Sequence, residues 1–163
     1  MSTLKTNTIQ AATGINVSVA SGHVLNAPGH VIAVHQFTAS EQTVSSATNL
    51  INATFTPKLS GSKFFVHFTI PNITLTSGNY YEARSYIGVD STPTNNQEVI
   101  YTRTSGQGTN ASNTQTLSAS DFGTYTCPNT NTHYVALRVT PESSAATARH
   151  SSTVKLQLME IAQ

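Results

Sequence analysis

Residues 63–71 read KFFVHFTIP, a run dense in residues that favour β-strands. The turn-forming segment KLSGS precedes it at 58–62 and TSGN follows at 76–79, so the run has the length and boundaries of a strand. Seven further segments share this character, with strand-forming residues bounded by Gly, Asn, Ser and Pro. They are HVIAVHQFT (30–38), LINATFTP (50–57), YYEARSYIGVD (80–90), EVIYTRT (98–104), QTLSASDF (115–122), THYVALRVTP (132–141) and STVKLQLMEI (152–161).

The number and spacing of these segments predict the fold class. About eight short strands, joined by turn-rich connections and with no amphipathic helix, indicate an all-β chain. Strands at this spacing pack as an antiparallel β-sandwich of the jelly-roll kind. We therefore predict a β-sandwich head domain over residues 30–163.

The first 29 residues differ from the rest. Gly14, Gly22 and Gly29 lie seven or eight residues apart, with brief alternating segments between them. Strands this short do not form a stable sheet alone, so neighbouring copies would have to cover them. We predict a short β-stem or attachment segment over residues 1–29, which holds the chain in a homotrimer. The alternative interpretation is a flexible tail with incidental glycines.

Composition excludes several classes of partner. The chain has 163 residues, eight basic and seven acidic side chains, and a net charge of +1. Without a cluster of basic residues, nucleic-acid binding is not expected, because that binding draws on the release of counterions from phosphates. The sequence has neither a run of about 18 apolar residues nor the apolar N-terminal stretch of a secretory signal. We therefore expect no membrane insertion and no export through a signal peptide.

The carboxylates do not indicate a catalytic site. Asp90 and Glu98 flank a loop and would resemble a glycosidase pair if they met, but rim positions at the ends of strands are the simpler interpretation. Glu82 and Arg84 share one strand face and predict an ion pair. Glu160 is expected to point outward, between Met159 and Ile161. No catalytic residue and no cofactor are predicted, and the chain is expected not to be an enzyme.

Histidine and cysteine are the residue types in this chain that could bind a transition metal. The lone Cys127 cannot form an internal disulfide and fits a buried small hydrophobe. No zinc-binding spacing is present, so no metal site is predicted within one chain. A trimer axis would bring three copies of His23, His30 or His35 together, and a ring of imidazoles there stays open as an alternative.

Tyrosine and asparagine are the candidate receptor-binding residues. Tyr rings beside amide and hydroxyl groups suit sugar binding by stacking and hydrogen bonding. For Tyr101 and Tyr134 a position in the core is the favoured interpretation. Of the adjacent Tyr80 and Tyr81 only one is expected to be buried, because neighbouring strand residues face opposite sides. The predicted receptor-binding residues are Tyr80, Tyr81, Asn95, Asn96, Asn110 and Asn113.

Four stretches carry a resemblance to a known family. They are STLKTNTIQ (2–10), SGHVLNAPGHVIAVHQF (21–37), ATFTPKLSGSKFFVHFTI (53–70) and STVKLQLMEIA (152–162). Together they resemble short tail-fibre and related virion proteins of tailed bacteriophages. The most specific part is the Thr56-Pro57 turn followed by Ser62-Lys63 and an apolar strand, together with the terminal LQLMEIA.

The resemblance implies a non-enzymatic, homotrimeric virion protein that is made in the host cytoplasm. Its N-terminal segment would attach to other virion proteins, and its β-sandwich head would contact a glycan on the host surface. Three alternatives stay open: a capsid decoration or collar protein, a carbohydrate-binding module and, least favoured, an enzyme that cleaves polysaccharide.

Overall fold

The computed structural model describes residues 28–76, 80–105, 115–142, 147–150 and 153–163. The predicted stem therefore lies outside this part of the chain, apart from its last two residues. Ten strands and one 3₁₀ turn are present in the described ranges. They are β1 Val31–Ala39, β2 Gln42–Val44, β3 Thr48–Phe55, β4 Lys63–Thr76, β5 Tyr80–Gly88, the turn Pro93–Asn95, β6 Gln97–Ser105, β7 Gln115–Thr126, β8 His133–Pro141, β9 Thr147–His150 and β10 Val154–Ile161.

The ten strands reduce to eight structural positions in two antiparallel sheets. β1 and β2 together occupy one edge position of the first sheet, because β1 pairs with β10 and β2 pairs with β9. β9 and β10 in turn both pair with the long strand β4. The first sheet thus has the order β1/β2, β10/β9, β4, β7, and the second has the order β3, β8, β5, β6.

This order is that of a jelly roll. The outermost strands of the chain pair with each other, as do β3 with β8, β4 with β7, and β5 with β6. The chain is therefore one long hairpin of four nested strand pairs, wrapped so that alternate pairs fall in alternate sheets. The predicted all-β, antiparallel, jelly-roll-like β-sandwich is confirmed.

β4 is longer than its sequence pattern predicts. The run KFFVHFTIP predicts an end at Pro71, but the strand continues to Thr76. Its pairing with β7 shifts register between Ile70 and Ile73, where β4 has one extra residue. Within this bulge Asn72 has a φ of 52°, which asparagine tolerates better than most residues. The bulge absorbs the proline without ending the strand.

The core lies between the two sheets and comes from alternate residues of the central strands. On β4 and β10 the inward residues have no exposed surface, because both strands lie inside the sheet with the second sheet over them. The second sheet contributes Tyr81, Ile87 and Leu137, which are also fully buried. The fully buried apolar residues of β4 and β10 are Phe64, Val66, Phe68, Ile70, Ile73, Val154, Leu156 and Leu158.

Glu160 corrects one prediction, since its side chain is fully buried and does not point outward. Its carboxylate accepts hydrogen bonds from the backbone amides of Lys58, at 2.9 and 3.0 Å, and Leu59, at 3.0 Å. The Ser62 hydroxyl lies 2.7 Å from the same carboxylate. These donors belong to the turn between β3 and β4, so the buried charge fastens that turn to the last strand.

The sandwich closes tightly along the edge where β6 meets β7. A Cβ atom at Gly123 of β7 would lie 2.5 Å from the Val99 carbonyl oxygen and 2.9 Å from the Ile100 side chain. Only glycine allows this approach, because real Cβ atoms do not come so close to backbone oxygen. The Thr102 hydroxyl also donates a hydrogen bond to Asp121 across the same seam. Within the described ranges, no helix has the length and apolar character needed to span a membrane.

Candidate functional site

The outer surface of the first sheet is unusually apolar. Four large side chains point away from the core, Val34 of β1, Phe65 of β4, Met159 of β10 and Phe122 of β7, and they are 61%, 43%, 41% and 71% exposed. We call these four residues the apolar face. A groove of about 260 Å³ opens on it, lined by Val34, Phe65, His67, Gln157, Leu158 and Met159.

The register of the strands explains why these side chains form one patch. Val34 pairs with Met159, and Met159 with Phe65, so the three lie in one row across three strands. In the next row Phe122 pairs with His67. Lys63 lies one row beyond the patch at one end. The face therefore has an apolar centre and a polar rim, the arrangement that distinguishes interfaces from ordinary surface.

The outer surface of the second sheet is chemically different, because charged and tyrosine side chains alternate across it. Three strands contribute them: β5, β6 and β8. The alternation of inward and outward residues places every second residue of β5 and β8 on this side. On β6 a bulge between Glu98 and Ile100 brings Glu98 to the same side as Tyr101 and Arg103. We call this surface the aromatic–charged face, and it consists of Tyr80, Glu82, Arg84, Tyr86, Glu98, Tyr101, Arg103 and Arg138.

Ion pairs and hydrogen bonds connect most of this face. Arg84 contacts Glu82 at 3.0 Å and Glu98 at 3.1 Å, so the predicted Glu82–Arg84 ion pair is confirmed. The Tyr101 hydroxyl donates to Glu82 at 2.8 Å, and the Arg84 guanidinium lies 4.6 Å from the centre of the Tyr101 ring. Arg103 lies 3.5 Å from the centre of the Tyr80 ring. The Arg84 guanidinium therefore lies over a ring as well as beside two carboxylates, and the Arg103 guanidinium lies over a ring.

The network shifts the pKa of its members. Burial raises the pKa of Glu82. Hydrogen bonds from Tyr101 and Arg84, together with the charges of Arg84 and Arg103, lower the pKa by a larger amount, so that it lies below its usual value. The hydrogen bond to Glu82 raises the pKa of Tyr101. The hydrogen bond to Glu82 likewise raises the pKa of Arg84. Glu82 is thus held in its charged form at the centre of the face.

The two tyrosines predicted as receptor-binding residues differ in burial. Tyr81 is fully buried in the core, and that burial raises its pKa. Tyr80 is partly exposed and belongs to the aromatic–charged face. The expectation that only one of the pair is buried is confirmed. Tyr101 corrects another expectation, because it is exposed and not in the core.

The predicted asparagines hold a loop in place. The Asn96 amide group donates to the Asp90 carbonyl at 2.7 Å and accepts from the Asp90 amide at 2.9 Å. Asn95 donates to the Asp90 carboxylate at 3.1 Å. The Thr92 backbone amide, together with Asn95, lowers the pKa of Asp90. The side chains of both asparagines are therefore engaged within the loop between β5 and β6.

The predicted receptor-binding residues do not form one cluster in the described part of the chain. Tyr80 begins β5, whereas the loop with Asn95 and Asn96 follows the end of β5 at Gly88. At about 3.3 Å per residue these sites are roughly 25 Å apart. Asn110 and Asn113 lie outside the described residues.

Cysteine and histidine meet in the core without forming a reactive pair. Cys127 and His133 are both fully buried, and the thiol lies 3.9 Å from the His133 Nε2 atom. Burial raises the pKa of Cys127, although a hydrogen bond to the Asn129 carbonyl opposes the shift. A buried thiol with a raised pKa is a poor nucleophile. The interpretation of Cys127 as a buried hydrophobe is confirmed.

The remaining titratable candidates do not assemble into a site. His35 is half-buried, with its ring centre 5.3 Å from that of Phe55, and its Nε2 atom has no hydrogen-bond partner. His30 is exposed at the start of β1, and His23 lies outside the described residues. Among the residues that the structure describes, no three His, Cys, Asp or Glu side chains lie close enough together to hold a metal ion.

Sequence comparison identifies no relative. No protein-family model matches the chain, and no curated protein matches it. Among solved structures, the chain is similar to the structure of the infectious bursal disease virus Gx strain. The identity is 12% and the TM-score 0.40, and the match covers 91% of this chain and 41% of that one. The chain is also similar to the VP2 subviral particle of that virus, with 10% identity and a TM-score of 0.39 over 91% of this chain and 42% of that one. The chain thus spans less than half the length of these solved chains.

Proposed function

We propose that this chain is a non-enzymatic structural protein of a virus particle, of the tail-fibre or knob type, that works as a homotrimer and contacts the host surface. The observation that carries the proposal is the apolar face on a jelly-roll sandwich. The sequence resemblance to tail-fibre and related virion proteins supports the particle as its location. Jelly rolls also serve as lectin and cupin domains, so the fold alone does not decide the function.

The apolar face has the size expected of a contact between copies. Taking an aromatic side chain at about 200 Å² and the aliphatic ones somewhat smaller, its four residues expose roughly 400 Å² per copy. A stable interface buries about 800 Å² per partner, so these side chains supply about half and the polar rim supplies the rest. A patch of this kind left in water favours association.

The titratable groups of the described residues support a non-enzymatic role. Asp90 is engaged within its loop, and Glu98 pairs with Arg84, so the two carboxylates are held in separate interactions. The buried Cys127 thiol has no access to a substrate. The proposed partners are two further copies of this chain, other virion proteins bound through residues 1–29, and a host-surface glycan.

Molar mass by light scattering tests the assembly. We expect a mass of about three times 17.3 kDa for the full chain and a monomer for the double variant Phe65→Ser with Phe122→Ser. Val89→Ser is the matched control, because Val89 is an exposed apolar residue away from this face. A wild-type mass of two copies would support the apolar face as an interface but would show that the assembly is a dimer and not a trimer. A wild-type monomer, or a double variant that keeps the wild-type mass, would refute this role of the apolar face.

A role in the particle needs a second measurement. Particles of the virus that encodes the chain should contain it, and antibody labelling should place it on the tail. Labelling over the capsid shell would favour a decoration or collar protein instead, and absence from purified particles would refute the proposal.

A carbohydrate-binding module is the second candidate, and the aromatic–charged face is the observation that favours it. Such a module needs no self-association. A monomer that binds glycan through this face would therefore favour the module over the virion protein.

A further inference from the structure

Charge is concentrated on the aromatic–charged face. The whole chain has eight basic and seven acidic residues, and five of these lie on this one surface: Glu82, Arg84, Glu98, Arg103 and Arg138. Among the residues named, three guanidinium groups stand against two carboxylates, and Glu142 adds a third carboxylate where β8 ends beside Tyr80. Positive charge is therefore concentrated at the neighbouring Arg84 and Arg138 and is not spread over the whole face. In a chain with so few charges, this concentration indicates a surface that meets a charged partner.

The two carboxylates are already occupied by one arginine. Arg84 contacts both Glu82 and Glu98, and Arg103 stacks on Tyr80. Arg138 lies directly across from Arg84 in the pairing of β8 with β5, where Cβ atoms are about 5 Å apart. In the described part of the chain, Arg138 has neither a carboxylate nor a hydrogen-bond partner. Two like charges side by side cost stability, and an anion bound between them would relieve that cost.

We propose that the aromatic–charged face binds an acidic saccharide, with a sugar carboxylate held by the guanidinium group of Arg138. The proposal deepens the host-surface contact of the proposed function and rests on it. A guanidinium group forms two parallel hydrogen bonds with a carboxylate, which fixes the orientation of the ligand. Arg84 next to it adds a second positive charge while remaining paired with its own carboxylates.

The surroundings of Arg138 suit a ligand with many hydroxyl groups. Thr140 lies two residues along the same strand, Asn49 of β3 lies directly across from Arg138, and Asn52 is exposed further along β3. Tyr101 adds an exposed aromatic ring. Small polar groups around an aromatic ring are the usual features of a sugar site. Two neighbouring guanidinium groups, one of them already paired with carboxylates, are too few for a nucleic acid, whose binding needs several cations.

Calorimetric titration of the full chain with an oligogalacturonate tests the proposal. The neutral probe is the same oligosaccharide with its carboxyl groups reduced to alcohols. We expect the acidic form to bind at least tenfold more tightly, and the affinity to fall with added salt. Arg138→Gln should weaken binding of the acidic form at least tenfold, and Arg138→Lys should give an intermediate loss, because it keeps the charge without the planar fork.

Matched controls separate a local site from general attraction. Lys58→Gln removes one positive charge from an exposed side chain outside this face, and it should change the affinity less than twofold. Circular dichroism should show that Arg138→Gln keeps the β-sheet spectrum. Equal binding of the acidic and neutral sugars, equal losses in the Lys58 and Arg138 variants, or equal binding of polyglutamate would overturn the proposal. Light scattering on the same samples distinguishes the two proposals, because a trimer that binds no acidic sugar refutes only the saccharide site.

Discussion

Replacement of the buried Glu160 by glutamine is the sharpest test of what holds the fold together. The carboxylate accepts hydrogen bonds from the amides of Lys58 and Leu59, and the Ser62 hydroxyl lies 2.7 Å from it. In Glu160→Gln one acceptor oxygen becomes an NH₂ group that faces N–H donors. With the amide oxygen in the Oε1 position the three donors keep an acceptor, but their hydrogen bonds are no longer charge-assisted. The NH₂ group in the Oε2 position faces the Lys58 amide and is itself a buried donor without an acceptor.

The magnitude follows from these contacts. Hydrogen bonds to a charged group contribute about 1.5–3 kcal/mol each, but removal of the charge also removes the cost of burying it. We expect a net loss of about 3 kcal/mol in the free energy of unfolding. With a denaturant slope of about 2 kcal/mol per molar urea, the unfolding midpoint should fall by about 1.5 M.

Equilibrium urea unfolding measures this loss. The sequence has no tryptophan, so tyrosine fluorescence and circular dichroism are the two signals. Glu98→Gln is the control with the same chemistry, because Glu98 forms an exposed ion pair that is worth less than about 1 kcal/mol. A loss below about 1 kcal/mol for Glu160→Gln, or equal losses for the two variants, would show that the carboxylate does not hold the turn.

Three further predictions follow from local geometry. Gly123→Ala should cost about 2 kcal/mol, measured by urea unfolding, because its Cβ atom would overlap the Val99 carbonyl; an unchanged midpoint would contradict the closeness of β6 and β7. Burial lowers the pKa of His35, with opposing effects of nearby charges, so the neutral form favours folding and stability should fall as pH drops below about 6.5. In His35→Phe the unfolding midpoints at pH 7.5 and pH 5.5 should differ less than in the wild type, and an identical difference would exclude His35 as the cause. The Cys127 thiol should react with a thiol reagent only after unfolding, and fast labelling of the native protein would refute its burial.

Alternation predicted the strands well because it reports which face of a sheet a residue takes. The pattern KFFVHFTIP placed β4 correctly, but the proline at 71 suggested an end that the bulge at Asn72 avoids. The sequence also predicted the Glu82–Arg84 ion pair, since residues two apart on a strand share a face. These successes concern neighbours along the chain or within one strand.

Contacts between distant strands were beyond the reach of the sequence. Glu160 was expected outside, because its partners lie in a turn about a hundred residues earlier. Tyr101 was expected in the core, although its strand lies at a sheet edge where an outward ring meets Glu82. The apolar face was also missed, even though the pair Phe64-Phe65 signals phenylalanine on both sides of one strand. The register of four strands decides whether such residues form a patch, and the sequence of a single strand does not predict that register.

The nested strand pairs also determine when the protein can fold. Val31 pairs with Ile161, at opposite ends of the described part of the chain. Such distant pairings are slow to form, because the entropy of closing a long loop is lost before the contacts are gained. During synthesis β1 has no partner until β10 has left the ribosome. The hairpin of β5 and β6 joins strands that are neighbours in the sequence, so it can form first. The pairs β4 with β7, β3 with β8 and β1 with β10 can then form around it in that order.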